Sequence, residues 1–420
     1  MNTVDVVVVG GGIVGRSVAS SAARRGMSVR LVEAGGVTEG SSAGNAGHMV
    51  PSHVVPFAAP GMVRSGITSL LRRDGAFAVS HHAGPGIVPW LWRFARSTTE
   101  ANVARGVPTL RTLLDLTADE IERLATGGAR LDAARTGLLQ VCSSDASMRE
   151  AEHEVATFQR WGVRARLLSA TEVREAEPAL RHGVRGGVEL VDDGRFDPAG
   201  LLAAVWAEAS DHGATATTAR VQRLEVVGDR QVRVITDEGI VDAHQVVVAA
   251  GVWTPALCAP FGPRLPIRPA RGNSVTMPDG PRLRLPLLLG DQRLAVNPLT
   301  DGLRITGRFE LTSPSHRAIS ERRTKELVRR AAEVLELPAD APPQHQWTGL
   351  RPATPDGLPV IGRMPGASAV VVAAGHGMLG STAGPGTGEA VAAILTGGTP
   401  VVDDHIVSPA RFARGSRRNG

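Results

Sequence analysis

The chain opens with a strand-like run at 4–9, solidly apolar from 6 to 9, turns through glycines at 10–15, and continues into a helical stretch at 16–25 and a second strand-like run at 28–33. This succession predicts a strand, tight turn, helix and parallel strand, a βαβ unit of about thirty residues. Residues 41–61, rich in Gly, Ser, Pro and Ala without any period, predict a loop. Helical patterns follow at 88–96 and 110–125; in the second, Leu110, Leu113, Leu114, Leu116, Ile121 and Leu124 fall on or near one face. A strand at 137–142 and a helix at 147–161, charged on its outer face, open the middle of the chain. Another strand and helix pattern runs from 187 through Asp197 into 199–212, with Pro198 where a first helical turn tolerates it. Strand patterns then occupy 220–227, 231–236, 239–250, 265–277 and 293–308, with turn signals at 278–280 and 301–302, before strand and helix return at 370–395. The order α/β, β-rich, α/β predicts one α/β domain built from separated segments and interrupted by a sheet-based insertion.

Composition narrows the function. The chain has 420 residues, 42% of them apolar and 21% charged, which suits a globular protein of more than one domain. Its longest apolar runs fall far short of the roughly 18 residues a membrane span needs. Met1 leads almost directly into the first strand, leaving no room for a signal sequence, and Cys142 and Cys258 give neither a disulfide framework nor a metal spacing; both point to a reducing cytoplasm. The formal charge of +5 is largely accounted for by Arg411, Arg414, Arg417 and Arg418 in the last ten residues, which read as a frayed, solvated tail. With 3% aromatics and no tyrosine, nucleic-acid binding is not expected. The single lysine, Lys325, lies on a charged helical stretch, which argues against a buried Schiff base. Proton transfer is left to His, Asp, Glu or solvent.

Gly10, Gly12 and Gly15 form GxGxxG after the four valines Val6, Val7, Val8 and Val9, and Glu33 ends the next strand. Glycines there permit a tight turn and close approach of a pyrophosphate to a helix N-terminus, while the terminal acid can accept from a ribose hydroxyl; the context predicts dinucleotide binding. A second GxGxxG, Gly375, Gly377 and Gly380, follows a strand at 369–374. Alone it would suggest a nicotinamide site. Its helix, 381–395, carries Gly384, Pro385, Gly386 and Gly388 and has no convincing following strand with a terminal acid, so it reads as a helix start aimed at an electron-rich ligand group.

The first glycine motif is similar to that of the D-amino-acid oxidase-like FAD oxidoreductases. The segment Ser41-Ser42-Ala43-Gly44-Asn45-Ala46-Gly47, with Pro51, Pro56, Ala59, Pro60 and Gly61, resembles the bacterial D-amino-acid dehydrogenase branch. VVVAAGVWTPAL at 246–257, WTGLRPATPDGLPVIG at 347–362 and the loop 375–380 also resemble the family, so the likeness runs the length of the chain. It implies a Rossmann-type FAD domain of three segments, 1–88, 168–258 and 351–405, a mixed-sheet (α+β) substrate domain from 89–167 and 259–350, and a basic tail at 406–420. It places at the cofactor Ile13 and Val14 beside the glycines, the loop residues Ser41, Ser42, Asn45, Ala46 and Gly47, then Val221, Ala250 and Gly251, and finally His376, Met378 and Leu379 within 375–380. Arg351 matches the arginine that holds a substrate carboxylate, a task suited to a bidentate guanidinium; bracing the Pro352 turn or pairing a neighbouring carboxylate is its structural alternative. His48, in the loop near the flavin, is a second candidate for the chemistry, with an ordinary hydrogen-bonded loop histidine as the alternative.

The implied reaction is hydride transfer from the α-carbon of a small amino acid, of D configuration, to flavin N5, followed by hydrolysis of the imino acid to a keto acid and ammonia. Oxidation of a secondary amino acid such as proline, hydroxyproline or sarcosine, or service as a flavin-bearing subunit of a larger electron-transfer complex, are the alternatives. Oxygen, a quinone or another electron carrier would take the electrons. Ala43, where some members attach flavin covalently, implies non-covalent FAD. Arg271-Gly272-Asn273-Ser274 departs from the family by lacking an aromatic at 273, which weakens any transfer of substrate preference. His81 and His82 read as an exposed pair, and no metal is expected. Trp90, Trp92, Arg93 and Arg96 suit either an inward-packing amphipathic helix or a peripheral contact with the inner membrane face.

Overall fold

The computed structural model describes residues 3–35, 40–63, 77–228, 231–337 and 344–413. Two large sheets organise them. In the eight-stranded sheet, Val4–Val9 pairs in parallel with Val29–Glu33 on one side and with Gly239–Val248 on the other. Thr215–Thr218 continues the sheet beyond Val29–Glu33, and Ala367–Ala374 lies parallel to the second half of Gly239–Val248. The ribbon Val221–Val227 and Gln231–Thr236 extends antiparallel from the first half of that strand. Val6, Val7 and Val8 are all wholly buried because both faces are covered: Val6 and Val8 pack under helices, Val7 and Val9 against Cys258, Phe261 and Leu265. A strand buried on both faces reads as a solid apolar run rather than an alternation.

The helix that follows the second glycine motif, Gly380–Thr396, crosses against Ile13–Arg24 and Glu100–Thr126. Its glycines serve that packing. A Cβ on Gly384 would lie 3.2 Å from Ile13, one on Gly386 2.2 Å from the Leu113 carbonyl oxygen, and one on Gly388 2.6 Å from the Ser17 backbone. Among the described residues no strand follows this helix, so the second motif does not build a second βαβ unit.

The nine-stranded sheet runs Gln344–Ala353, Arg268–Met277, Gly302–Leu311, Leu294–Leu299, Leu287–Leu289, Leu138–Cys142, Gly186–Leu190 and Ala165–Ser169, with Phe77–Val79 beside Gly302–Leu311. Arg268–Met277 has two working faces. Val275 and Met277 pack with Leu327 and Ala331 of the helix Glu321–Ala331, while Gly272 on the opposite face meets Arg351. The expected domain borders at 168 and 351 fall inside two of these strands. Arg351 therefore sits on a strand of the nine-stranded sheet.

Three local outcomes bear on the expectations. Trp90 turns inward and donates from Nε1 to the Pro266 carbonyl at 2.9 Å, whereas Trp92 is 54% exposed with the Arg96 guanidinium over its ring. Arg411, expected in a solvated tail, is instead held by Asp356, Nε to Oδ2 2.9 Å, and stacks on Phe412, because Val407 and Pro409 anchor this stretch; Arg414, Arg417 and Arg418 lie outside the described residues. Cys142 and Cys258 are free and buried, and burial pushes their thiols up to about 11 and about 12.

Candidate active site

The parallel pairing brings four strand ends to one edge of the eight-stranded sheet. Gly10 follows Val9, Ala249 follows Val248 and donates to the Val9 carbonyl, Gly375 follows Ala374, and Glu33 ends its own strand. Ligands of open α/β sheets bind outside such carboxyl ends. Gly10 takes φ +110° and abuts the Ala249 carbonyl, while a Cβ on Gly15 would lie 1.8 Å from the Gly10 carbonyl oxygen; both glycines are demanded by the turn itself. Gly12 is different. A Cβ there would meet only Ser42 Oγ, at 3.3 Å, and otherwise enter open space. The same holds for Gly251 and Gly377, both at positive φ with nothing within 4 Å, and for Gly380, whose nearest neighbour is His376 Cβ at 4.0 Å.

Ile13 opens its helix with its N–H donated to Ser42 Oγ at 3.0 Å, and Val14 follows in the first turn. No side chain of the preceding residue caps this helix or Gly380–Thr396, leaving the positive ends of both dipoles toward the cleft. Glu33 accepts hydrogen bonds from the N–H groups of Gly11 and Gly35. Val221 begins its strand close by, since Ala219 donates to the Glu33 carbonyl at 2.9 Å. Ala250 caps the short turn Gly251–Trp253, and His376, Gly377, Met378 and Leu379 form another single turn before Gly380. A phosphate-bearing dinucleotide fits this cradle: open space above glycines, helix starts that carry no acidic cap, and a carboxylate at the adjoining strand end.

The loop from Ser41 onward is fastened to the nine-stranded sheet. Asn45 donates from Nδ2 to the Ser42 carbonyl and accepts the Gly47 N–H at 2.7 Å; Ala46 lies between them. Gly47, at φ +75°, presents its carbonyl to Asn297 Nδ2 at 3.2 Å. Arg304 donates from Nη1 to the carbonyls of Ala43 at 3.1 Å and Asn45 at 3.3 Å. Trp347 packs its ring where side chains on Gly44 and Gly349 would be. Asn297, Arg304 and Trp347 carry no local signal in the sequence, because what selects them is a backbone about 250 or more positions away by number; only the glycines opposite Trp347 hint at a large partner.

His48 begins a two-residue strand against Gly194–Arg195 and its Nε2 lies 3.0 Å from the Val296 carbonyl, so Nε2 carries the hydrogen. His376 lies 2.9 Å from Thr387 Oγ1. Burial pulls both imidazoles down to about 4, leaving them neutral at pH 7. Arg351 lies on the Gly272 face of the nine-stranded sheet. Nη1 donates to the Arg308 carbonyl at 2.7 Å, and among the described residues the guanidinium has no carboxylate within 4.0 Å. Desolvation lowers it to about 10, still protonated at neutral pH. A half-buried guanidinium with no carboxylate partner among the described residues has donors left to pair with an anion. Asn273, by strand alternation, faces away from Arg351 toward the helix Glu321–Ala331. No cluster of three His, Cys, Asp or Glu side chains suited to a metal occurs among the described residues.

Residues 5–394 match the family described as DAO, FAD dependent oxidoreductase. A D-amino acid dehydrogenase of Cereibacter sphaeroides is 30% identical over 423 residues, covering 98% of this chain and 96% of that protein. Among solved structures, glycine oxidase from Geobacillus kaustophilus superposes with TM-score 0.77 at 23% identity over the whole of both chains. L-proline dehydrogenase from P. horikoshii does so with TM-score 0.72 at 21% identity, covering 99% of this chain and 100% of that one. The cradle at the strand ends and a match spanning almost the entire sequence agree, and the chain belongs to the family of FAD-dependent oxidoreductases.

Proposed function

We propose that this enzyme oxidises a small amino acid, of D configuration, at the bond between its α-carbon and nitrogen, and that Arg351 binds the carboxylate. The observation that carries the reading is the half-buried, desolvated Arg351 guanidinium, bonded to a backbone carbonyl and without a carboxylate partner among the described residues. The D configuration is supported by the name of the 30% identical relative. The amine binds neutral, because His48 and His376 are neutral and each is engaged elsewhere. We assign His48 to holding the flavin loop on the Val296 strand rather than to proton transfer. Bound FAD supplies the acceptor for the hydrogen and electron pair that leave the α-carbon. The resulting imino acid takes up water and releases a keto acid and ammonia.

The residues of the cradle, Gly12 and Gly251 through Gly377 and Gly380, together with Ser42 and Glu33, are our assignment for FAD. Its attachment is non-covalent, as Ala43 offers no nucleophile. In this reading the eight-stranded sheet carries the cofactor and the nine-stranded sheet the substrate. The test is anaerobic bleaching of the flavin by D- and L-amino acids, proline, hydroxyproline and N-methylglycine. D-amino acids should bleach and L forms should not; faster bleaching by L-alanine than by D-alanine overturns the stereochemical assignment, and bleaching by the secondary amines alone selects the cyclic or N-methyl substrate class. Reoxidation by oxygen or by a soluble quinone in the same cuvette identifies the acceptor.

We further infer a cytoplasmic protein that touches the membrane peripherally. No described helix is long and apolar enough to cross a membrane. The helix Ile87–Ser97 instead exposes Val88 and Trp92 beside Arg93 and Arg96, a composition suited to an anionic interface. Flotation with anionic vesicles should be lost in Trp92→Ala; no flotation of the parent removes this proposal.

A further inference from the structure

Arg351 belongs to the strand Gln344–Ala353, in which Gly349 lies opposite Gly272 of Arg268–Met277. A Cβ on Gly272 would stand 2.4 Å from Arg351 Cζ and Nη2 and 2.6 Å from Nη1, so the guanidinium occupies the space a side chain would take. Gly272 keeps an ordinary strand conformation rather than a positive φ. Glycine weakens a strand interior, and here the backbone does not ask for it. The vacancy itself is what the position supplies.

The second contact comes from the other neighbouring strand. Arg308, in Gly302–Leu311, holds φ +68°, a left-handed conformation uncommon for a residue with a side chain. It lies where the register between Arg268–Met277 and Gly302–Leu311 shifts, between Arg271 and Asn273. A bulge of this kind redirects a peptide group out of the ladder, and the Arg308 carbonyl accepts Nη1 of Arg351 at 2.7 Å. The Arg308 side chain lies with its Nε 3.5 Å from Glu310 Oε2; that same buried carboxylate pairs with Arg271 at 2.6 Å and with Arg323 at 2.7 Å. Nη1 of Arg351 is thus spoken for, while Nη2 and Nε form no hydrogen bond among the described residues.

We propose that Gly272 and Arg308 are the positioning residues of the carboxylate receptor: the missing side chain at 272 sets the plane of the Arg351 guanidinium, and the left-handed Arg308 peptide turns its free edge to the substrate. The inference rests on the reading of Arg351 as the carboxylate ligand. It explains why a strand interior carries both a costly glycine and a strained arginine at adjoining places. It also assigns Gly272 a part in recognising any planar two-oxygen anion, independent of the substrate's side chain.

The test uses the FAD-loaded enzyme with acetate as the probe and acetamide as its uncharged control, read as the inhibition constant against the amino acid and as the change in flavin absorption. Gly272→Ala should weaken acetate binding and raise KM at least about tenfold, as expected for a reacting group displaced by about an ångström. FAD content and melting temperature should stay near the parent. Arg308→Val, whose branched side chain resists positive φ, should lose more acetate affinity than Arg308→Gly, which accepts it. In the Arg351→Lys background, Gly272→Ala should add little, because an ammonium does not fill the slot. If Gly272→Ala fails to fold, recovery of folding in Gly272→Ala/Arg351→Lys supports the proposal, and failure of both overturns it. Parent-like acetate affinity in Gly272→Ala overturns it as well. If Arg351→Ala itself binds acetate like the parent, the underlying reading of Arg351 has failed instead.

Discussion

Arg351 carries a charge that meets no carboxylate partner among the described residues. Leaving a bound carboxylate without it in a desolvated pocket costs on the order of 3 to 5 kcal/mol. Arg351→Ala should therefore lower kcat/KM for an amino acid by roughly a hundredfold to a few thousandfold. Arg351→Lys keeps the charge but not the fork and should fall between. The corresponding decarboxylated amine, a poor substrate of the parent, should lose little further, while FAD content stays unchanged. A mutant as efficient as the parent on the amino acid would remove Arg351 from the site. The same residue sets an alkaline limit. Its proton is lost from about 10 upward, so binding of a carboxylate without an amine should be flat from pH 7 to pH 9 and weaken as pH passes through that value. An inhibition constant measured across this window checks the sign: if affinity increases above pH 10, the charge on Arg351 is not what holds the anion.

At the scale of elements, the glycine turn separates two reasons for having glycine. Gly15 sits where any side chain would drive into the Gly10 carbonyl, and Gly12 sits at φ -69° beneath open space. Gly12→Val should leave melting temperature and far-ultraviolet dichroism near those of the apo parent yet abolish FAD retention. Gly15→Ala should lose both. Equal damage from the two substitutions would mean that Gly12 serves the fold and not the ligand. The spacing in the sequence marked both glycines identically, and only the coordinates tell them apart. The second glycine motif teaches the complementary lesson: part of its glycine richness, at Gly384, Gly386 and Gly388, arises from close helix crossing. Val4–Val9 and Ala367–Ala374 were legible because burial on both faces leaves nearly solid apolar runs, whereas Thr215–Thr218 has none and was not foreseen. Arg304, Asn297 and Trp347 were not, since each is defined by a distant backbone it touches. The motif recognised by resemblance around 351 runs along a strand whose pairing partner, Arg268–Met277, is remote in the chain.

Across the whole molecule, buried titratable groups respond to acid in opposite senses. Burial pulls His48, His53 and His376 down from 6.5 to about 4. The unfolded chain binds protons in that interval that the folded chain refuses, so stability falls as pH drops from 6.5 toward 4, by up to about 1.4 kcal/mol per pH unit for each group. Asp193 behaves in reverse. It lies wholly buried, accepts the Ser52 N–H at 2.9 Å and the Ser52 hydroxyl at 2.6 Å, and desolvation raises it to about 7. Its raised value favours the folded state at low pH, and that contribution is lost as pH climbs from 3.8 through 7. The two windows overlap, so Asp193 opposes the histidines between pH 4 and 6.5, and its effect levels off above about pH 7. Asp193→Asn, which can still accept the Ser52 N–H, should make denaturant midpoints climb more steeply with pH between 3.8 and about 7. An unchanged slope in that window would show that Asp193 does not titrate there.

The helix Glu321–Ala331 covers the nine-stranded sheet on the side away from Arg351, and it holds the chain's single lysine, exposed and paired with Glu321 at 2.9 Å. Apart from the N-terminal amine, reagents that couple to amines therefore have one address on the whole surface. A crosslinker, dye or electrode linker attached at Lys325 lies on the sheet face opposite Arg351, so the enzyme can be tethered through one defined point without redesigning any part of it.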